Sequence, residues 1–583
     1  MSKFERLEYP RPQFRRDEWI ALNGEWEFAF DDDDKGFKAG YPSGKKPLPM
    51  KINVPFSYQY EASGIGDVQN HEIVWYRREI EVDAGGKNAL LCFNGSDYIT
   101  DVWVNGNHVI NHKGAYAPFK ADVTGSLKRG KNVIVVRCYD PFDPTIPRGK
   151  QSWTGERFGC WYIANTGIWQ SVWLEFFKKD CIDDYSLIAD IDTLSFGGDI
   201  KTLNGVADSL EITVSYNDKQ VKKQRVSLDG KYSRYTVSLM EPNFVDEVQY
   251  WTPDRPNLYY VDFTLYKNNV KLDHARTRFG MRKISIDNGG RICLNNRTLY
   301  QRLILDQGYW EESGITPPSH EALKKDIELS KALGFNGARK HQKHEDPYFY
   351  YYAEELGFLT WCEMPSAYNF NATEMQALMT EWMEILAVAR NFTSNIAYVP
   401  LNESWGTRKI LTERDQQHFA RALYFATKAM DISKLISNND GWETVQPTDI
   451  VGIHDYARTS ERFAEKYRED NYDFVYPQGR KLMALGCEYQ GDPVLVTEYG
   501  GIAMQTDAKN GAWGYGEGAK GEDEFLQRYR DLAKGIYDIK HIQGFCYTQL
   551  TDVQQEVNGL LYANRKPKFD LDKIKAITEG RDL

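Results

Sequence analysis

Two glutamates, each placed just after a short apolar run, are the residues of this chain best suited to chemistry. Glu403 follows Ile396–Leu401 by way of Asn402, and Glu498 directly follows Pro493–Thr497. A short apolar run bounded by turn residues is typical of a buried parallel strand. In an α/β barrel the carboxyl ends of such strands form the mouth where catalytic residues lie. Two carboxylates facing one pocket there could cleave a glycosidic bond.

The elements that must position these glutamates are predicted from about Lys283 onward, where apolar strands alternate with helical stretches. Eight strands in about 300 residues fit a (β/α)8 TIM barrel. Glu403 would end the fourth strand and Glu498 the seventh, which suits three strand–helix units of roughly 30 residues each. The predicted strands lie near 299–305, 335–339, 358–362, 396–401, 435–437, 450–453, 494–497 and 542–547, and the clearest helices near 320–333, 375–390 and 416–430.

The part of the chain before the barrel has a different pattern, in which apolar and polar residues alternate between turns. Asp101–Val104 runs into Asn105-Gly106, a strong hairpin signal. Residues 1–178 therefore predict a β-sandwich, and residues 179–282 have the length of one immunoglobulin-like sandwich. With 583 residues, the chain exceeds what one core supports, so we expect three domains at 1–178, 179–282 and 283–583.

Composition and charge exclude several classes of function. The formal net charge of −11 disfavours nucleic acid or an anionic membrane as partner, and no apolar stretch has membrane-spanning length. The eight cysteines form no CxxC pair, which favours free thiols over zinc ligation. The first ten residues lack an apolar signal core, so we expect a cytoplasmic protein, and an earlier loss of a leader stays open.

Several segments in sequence order resemble glycoside hydrolase family 2, the group that holds β-galactosidases, β-glucuronidases and β-mannosidases. The resemblance extends over essentially the whole chain and implies a sugar-binding jelly roll, an immunoglobulin-like sandwich and a catalytic TIM barrel. It rests on the segments Leu22–Phe28, Trp75–Arg78, Asn165–Leu174, Leu333–Arg339, Asp346–Tyr352, Asn402-Glu403 and Thr497–Gly501.

The resemblance also implies roles for individual residues. Glu498 matches the family nucleophile, and Glu403 matches the acid/base, which should have a raised pKa because it must be protonated when substrate binds. Asn402 resembles the residue that hydrogen-bonds the sugar 2-hydroxyl. Tyr456 resembles the tyrosine that donates to the nucleophile.

Five further residues at predicted strand ends are expected to bind substrate: Asp306, Arg339, His341, His454 and Tyr547. His341 and His344 lack a third ligand at useful spacing, so we expect no metal and no cofactor. Tryptophans on loops after strands could form stacking walls for a sugar, or could equally be packing residues: Trp310, Trp405, Trp442 and Trp513.

The identity of the sugar is less defined, because the chain departs from the family pattern at Arg302–Gly308 and Arg339–Gln342. Lys340 and Lys343 would suit a uronic acid, but we expect them to be solvated. Glu556–Asn558 stands where β-glucuronidases have Asn-x-Lys. We therefore expect a retaining exo-β-glycosidase, most like a β-galactosidase, acting on a carbohydrate substrate.

The alternatives are a β-glucuronidase, β-galacturonidase or arabinosidase of the same family, or a carbohydrate-binding protein without catalysis. The intact Glu403 and Glu498 argue against the last of these. A homo-oligomer is possible.

Overall fold

The first layer of the molecule is a β-sandwich whose two antiparallel sheets enclose a core that includes Trp26, Phe28 and Leu91. A computed structural model describes residues 4–240, 248–469, 480–508 and 511–583. The six-stranded sheet has the order Met50–Val54, Gly24–Phe30, Ile73–Val82, Gly130–Tyr139, Ile99–Val104 and Asn107–Lys113. The four-stranded sheet has the order Phe119–Asp122, Asn88–Phe93, Val172–Phe177 and Trp19–Ala21.

A second antiparallel sandwich follows, with its own core that includes Phe196, Ile212 and Phe263. Phe14–Arg15 from the start of the chain pairs with its edge strand, so the N-terminal segment ties the two sandwiches together. One sheet has the order Phe14–Arg15, Val270–Phe279, Tyr259–Lys267, Ser209–Tyr216 and Lys219–Ser227. The other has Ser195–Thr202 paired with Ile182–Tyr185, Ile188–Asp190 and Tyr232–Ser238.

The C-terminal part is a curled sheet of eight parallel strands, which confirms the predicted TIM-barrel class. In chain order, the barrel strands are Gln301–Asp306, Gly337–Lys340, Leu359–Glu363, Asn395–Val399, Leu435–Ile436, Val451–His454, Val494–Gly500 and Ile542–Thr548. Strand ladders connect all neighbours except the fifth and sixth strands among the described residues. At that seam the backbone N–H groups of Asp449 and Ile450 donate to the carbonyl of Ile436.

Helices cover the outside of this sheet: α1 His320–Ala332, α2 Pro347–Leu356, α3 Ala372–Ala389, α4 Arg414–Met430, α5 Ser460–Tyr467, α6 Glu522–Tyr537 and α7 Leu571–Thr578. Side-chain caps begin several of them, as at Ser319, Asp346 and Asn371. No helix of the described residues lies between the fifth and sixth strands.

Alternation along the barrel strands separates an inner from an outer layer. Leu303 and Leu305 cluster with Trp361 and Cys546 inside the barrel, whereas Ile304 packs with the helices outside. None of the helices in the described part of the chain is both long and apolar enough to span a bilayer. All eight cysteines are free thiols.

Candidate active site

Glu403 lies just beyond the carboxyl end of the fourth barrel strand, in an unusual backbone conformation. Its φ is 52°, in the left-handed region that residues other than glycine rarely adopt. The Glu403 N–H donates to the carbonyl of Asp440 at 2.8 Å, and this hydrogen bond stabilises the unusual backbone conformation of Glu403. Strained backbone of this kind is concentrated at functional sites. Trp405 Nε1 donates to Oε2 of Glu403 at 3.2 Å, so both the backbone and the carboxylate of this residue are held in place.

Glu498 belongs to the seventh barrel strand and is 4% exposed. Tyr456 donates its hydroxyl to Oε2 at 2.6 Å, and the Arg339 guanidinium donates to Oε1. The Tyr456 hydroxyl also lies 3.2 Å from Oγ1 of Thr548. Both oxygens of Glu498 are therefore fixed in position by hydrogen-bond donors.

Arg339 is fully buried at the end of the second strand and organises the floor of the site. Its Nη1 donates to Glu363 Oε2 at 2.7 Å and to Asn402 Oδ1 at 3.1 Å, and it lies 3.2 Å from Oδ2 of Asp440. Burial raises the pKa of Glu363 to about 7, although Arg339 opposes that rise. Asp440 is buried too, but Arg339 and His454 outweigh burial and lower its pKa to about 2.

His454, at the end of the sixth strand, connects the two glutamates. Its Nδ1 lies 2.8 Å from Glu403 Oε1 and 3.6 Å from Glu498 Oε1, and its Nε2 lies 3.0 Å from Asp440 Oδ2. Burial alone would lower the pKa of His454, but Glu498, Asp440 and Glu403 together raise it to about 10. The ring is therefore an imidazolium at neutral pH.

The expected raised pKa of Glu403 is wrong for this structure. Burial does act to raise the pKa of Glu403, but the His454 imidazolium at 2.8 Å outweighs it and lowers that pKa below its ordinary value. The proton that an acid catalyst needs is thus held at His454, one hydrogen bond away from Glu403.

Asn402 and His341 lie in the same site. Asn402 is 1% exposed; its Oδ1 accepts from Arg339, and its Nδ2 has no hydrogen-bond partner among the described residues. His341 Nδ1 lies 3.0 Å from Oε1 of Glu363. Burial and the Arg339 charge hold the pKa of His341 well below its usual range, so the ring is neutral. The Asn402 Nδ2 is therefore an unused hydrogen-bond donor at the site.

Tyr547 and Asp306 are not brought into this site, which corrects their assignment as substrate-binding residues. The Tyr547 ring packs between the sheet and α6, at 4.9 Å from the Tyr529 ring. Asp306 follows Leu305 in the alternating pattern and accepts from Lys340 Nζ at 2.7 Å. Both side chains belong to the outer face of the barrel strands, where they stabilise packing.

Lys340 and Lys343 are also not solvated as expected. They are 0% and 2% exposed and share the buried Glu345 carboxylate at 2.8 and 2.7 Å. Burial lowers the pKa of Lys343 to about 8 despite Glu345. Each lysine is therefore part of the structure behind the site and is not available to substrate.

The geometry of the central trio admits a metal ion on distance alone. Glu403, His454 and Glu498 each offer one ligand atom, and these atoms all lie within 4.8 Å of one another. However, both nitrogens of His454 face carboxylates and its raised pKa keeps them protonated, so the ring has no free lone pair. The donor set suits proton transfer between the imidazolium and the carboxylates that face it.

A loop of the first sandwich, residues 148–162, covers one side of the barrel mouth. The backbone N–H groups of Arg148 and Gly149 each donate to the Ser366 carbonyl at 3.0 Å. Trp161 contacts the ring of Trp405 at 5.1 Å, and so forms an aromatic wall beside Glu403. Sequence reasoning about the barrel alone missed this loop.

The other tryptophans on loops after strands have different settings. Trp442 lies edge-on to His454 at 5.8 Å, and Trp513 donates to the Gly159 carbonyl at 3.0 Å. Trp310 is buried beneath the guanidinium of Arg565. Asp440 was missed as well, although it follows the fifth strand and the strand-end pattern could have found it.

Two family models match the first two domains in order. Residues 20–174 match the sugar binding domain of glycosyl hydrolases family 2, and residues 182–282 match a second model of glycosyl hydrolases family 2.

Curated relatives show weaker similarity spread along the chain. A putative β-glucuronidase of Formosa agariphila is 27% identical over 331 residues, covering 54% of this chain and 38% of the relative. A β-galactosidase of Thermoanaerobacter pseudethanolicus is 25% identical over 500 residues, covering 82% of this chain and 59% of the relative. The chain therefore spans less than two thirds of the length of either relative.

Solved structures share the fold over the full length. A β-glucuronidase of Ruminococcus gnavus in complex with N1-substituted uronic isofagomine superposes with a TM-score of 0.78 at 19% identity, covering 99% of this chain and 100% of the other. A β-galacturonidase of Eisenbergiella tayi bound to glycerol gives a TM-score of 0.76 at 18% identity, with 97% of both chains covered. Residues 20–174 and 182–282 are thus domains of glycosyl hydrolase family 2, and the resemblance of the chain to that family is confirmed.

Proposed function

We propose that this protein is a retaining exo-β-glycosidase, most like a β-galactosidase, with Glu498 as nucleophile and Glu403 as acid/base. The observation that carries the proposal is the convergence of the two carboxylates. One oxygen of each lies within 4.8 Å of the other and of His454. Retaining glycosidases need a carboxyl separation of about 5–5.5 Å, whereas inverting ones need about 6.5–9.5 Å to admit a water.

In the first step, Glu498 would attack the anomeric carbon and form a glycosyl-enzyme. Arg339 and Tyr456 hold the nucleophile in place, and the Tyr456 hydroxyl can move toward the sugar ring oxygen once Glu498 loses its charge. Glu403 protonates the leaving oxygen with the proton it receives from His454 across their 2.8 Å contact. That internal transfer takes up no proton from solvent, because it converts an ion pair into a neutral pair.

In the second step, Glu403 would deprotonate a water that attacks the same carbon from the opposite face and releases the sugar. The Asn402 Nδ2, which has no hydrogen-bond partner among the described residues, would donate to the 2-hydroxyl of the bound sugar. Exo action is supported by the first-sandwich loop, since it covers one side of the barrel mouth beside Glu403.

The experiment that tests this function compares the wild type with Glu498→Gln on nitrophenyl β-galactoside, β-glucuronide, β-galacturonide, β-mannoside, β-glucoside and arabinoside. We expect turnover of at least one substrate by the wild type and a loss of about 10⁴-fold or more in the variant. NMR of the first-formed sugar should show the β-anomer. No turnover of any glycoside would favour a binding protein, and an α-anomer product would overturn retention.

A further inference from the structure

Tyr515 packs flat against Tyr456, the residue that donates its hydroxyl to Glu498. The centroids of the two rings lie 3.4 Å apart, and their planes are 3° from parallel. The Tyr456 hydroxyl lies 2.6 Å from Oε2 of Glu498, so a rotation of the Tyr456 ring would break this hydrogen bond. Tyr515 is therefore joined to the proposed nucleophile in two steps, first by a ring contact to Tyr456 and then by a hydrogen bond to Glu498.

The backbone of the seventh barrel strand keeps Tyr515 close to Glu498. The Tyr515 N–H donates at 2.8 Å to the carbonyl of Gly501, which lies three residues after Glu498. Gly501 has a φ of 60°, in the left-handed region that favours glycine. A Cβ at this position would collide with the Tyr515 ring and would come within 3.2 Å of the Tyr456 ring. The glycine thus lets both rings approach the strand that carries Glu498.

Trp513 anchors the same segment through a second set of contacts. Its backbone N–H donates to the Gln555 carbonyl at 2.8 Å, and its Nε1 donates at 3.0 Å to the carbonyl of Gly159 in the first-sandwich loop. The Trp513 ring meets the Tyr515 ring edge-on, with centroids 5.3 Å apart. The seventh strand, the loop after the eighth strand and the first sandwich therefore all contribute to holding Tyr515 in place.

A cavity of about 370 Å³ borders both tyrosine rings. Its lining includes Tyr456, Tyr515, Arg458, Gly500 and Leu532. Loss of the Tyr515 ring would enlarge this space beside Tyr456, and a ring without its stacking partner can turn to another rotamer. The Tyr456 hydroxyl would then leave Oε2 of Glu498.

We propose that Tyr515 is a positioning residue for the nucleophile, because its ring holds Tyr456 in the orientation in which the Tyr456 hydroxyl donates to Glu498. The inference rests on the proposed glycosidase function and deepens it, since it assigns a role to a residue that acts through Tyr456 rather than by touching the sugar.

The test combines substitutions at positions 515 and 456, and measures kcat and KM on the nitrophenyl glycoside that the wild type cleaves fastest. Tyr515→Ala removes the stacked ring, Tyr515→Phe keeps it, and Tyr456→Phe removes only the hydroxyl that reaches Glu498. The double variant Tyr456→Phe/Tyr515→Ala completes a double-mutant cycle.

Tyr232→Ala is the matched control, since it removes the same side chain from a strand of the second sandwich, where Tyr232 is 71% exposed. A thermal melt of each variant checks that it is folded. Tyr515→Leu, which fills most of the space without a planar ring, takes the place of Tyr515→Ala if the alanine variant does not fold.

We expect Tyr515→Ala to lower kcat about 5- to 50-fold and to keep KM within about three-fold of the wild type, because Tyr456 loses its fixed orientation. Tyr515→Phe should keep kcat within about two-fold, since the stacked ring remains. In the Tyr456→Phe background, Tyr515→Ala should lower kcat by less than about three-fold, because the hydroxyl that Tyr515 positions is already absent. A structural role alone would give the same loss in both backgrounds.

Equal losses from Tyr515→Ala in the two backgrounds would overturn the inference, as would a wild-type kcat in Tyr515→Ala or a loss in Tyr515→Phe as large as in Tyr515→Ala. A raised KM with an unchanged kcat would make Tyr515 a substrate-binding residue, and would overturn the inference too. A wild type that cleaves no glycoside contradicts the proposed function itself, and is thereby distinguished from a failure of this inference alone.

Discussion

Replacing His454 with glutamine should move the alkaline limb of the pH–rate profile to lower pH. In the wild type, Glu403 and His454 share one proton, and the pKa of His454 is raised to about 10 by Glu498, Asp440 and Glu403 against the effect of burial. Acid catalysis needs that shared proton, so activity should persist until it is lost at alkaline pH. A glutamine at position 454 cannot carry the shared proton, so Glu403 would have to bind a proton from solvent before it can act as an acid.

The size of the change follows from the same contacts. A rise in the pKa of His454 from 6.5 to about 10 corresponds to about 5 kcal/mol of net stabilisation of the imidazolium, which the carboxylates provide against the opposing effect of burial. In the variant the limb should fall toward the pKa of a buried glutamic acid, several pH units below that of the wild-type pair.

The same substitution should remove a pH-dependent part of the stability. A raised pKa in the folded state stabilises the protein fully below pH about 6.5, and this contribution is lost as pH rises through about 10. The difference in melting temperature between wild type and His454→Gln should therefore be largest near pH 6 and should shrink toward pH 10.

The assay is kcat/KM between pH 4 and 10 on an aryl glycoside with a poor leaving group, because good leaving groups need little protonation. His418→Gln serves as the control, since His418 is exposed on α4. An alkaline limb at the same pH in wild type and His454→Gln would refute the shared-proton account. A stability difference that does not change with pH would refute the charge assigned to His454.

Three other substitutions probe single contacts. Tyr456→Phe removes the 2.6 Å hydrogen bond to Glu498 and should lower kcat about 10- to 100-fold with little change in melting temperature; an unchanged kcat would contradict the role of that contact. Asn402→Ala should lower kcat/KM about 10- to 100-fold on the normal glycoside but much less on its 2-deoxy analogue. The reason is that the 2-deoxy substrate offers the Asn402 amide of the wild type no 2-hydroxyl, so the substitution removes no contact with it. Equal losses on both substrates would count against that contact. Tyr547→Phe should keep kcat/KM within about two-fold, because its hydroxyl is unpartnered and packed outside the barrel; a large loss of kcat/KM with an unchanged melting temperature would return Tyr547 to the site.

The barrel and its two glutamates could be predicted because their signals are local. Each apolar run marks a strand, and the residue after it lies at the barrel mouth whatever the rest of the chain does. The eight predicted strands all occur within a few residues of their expected positions.

The sequence did not show which side chains of each barrel strand face the barrel interior. Barrel strands are buried on both sides, so the residues that face the interior and those that face the helices are equally apolar, and the sequence has no alternation of polarity to distinguish them. Asp306 and Tyr547 were expected in the site for this reason, and both lie on the outer face. The burial of Lys340 and Lys343 could not be predicted either, because the sequence does not show that their charges pair with the buried carboxylate of Glu345.

Long-range contacts account for the remaining differences. Trp161 precedes Trp405 by about 240 residues, and only the docking of the first sandwich on the barrel brings their rings to 5.1 Å. Likewise, the lowered pKa of Glu403 depends on its 2.8 Å contact with His454, which belongs to another strand. Such pairings are set by tertiary structure and have no signature in the chain.

The central claim is that Glu498 forms a covalent bond with the sugar while Glu403 assists from 4.8 Å or less. The most direct measurement is the mass of the protein after incubation with a 2-deoxy-2-fluoro glycosyl fluoride of the preferred glycone, followed by peptide sequencing. The account predicts a gain of one fluorosugar per chain, located on Glu498 and absent from Glu498→Gln. A label on another residue, or inactivation of a wild type that never gains the sugar mass, would contradict it.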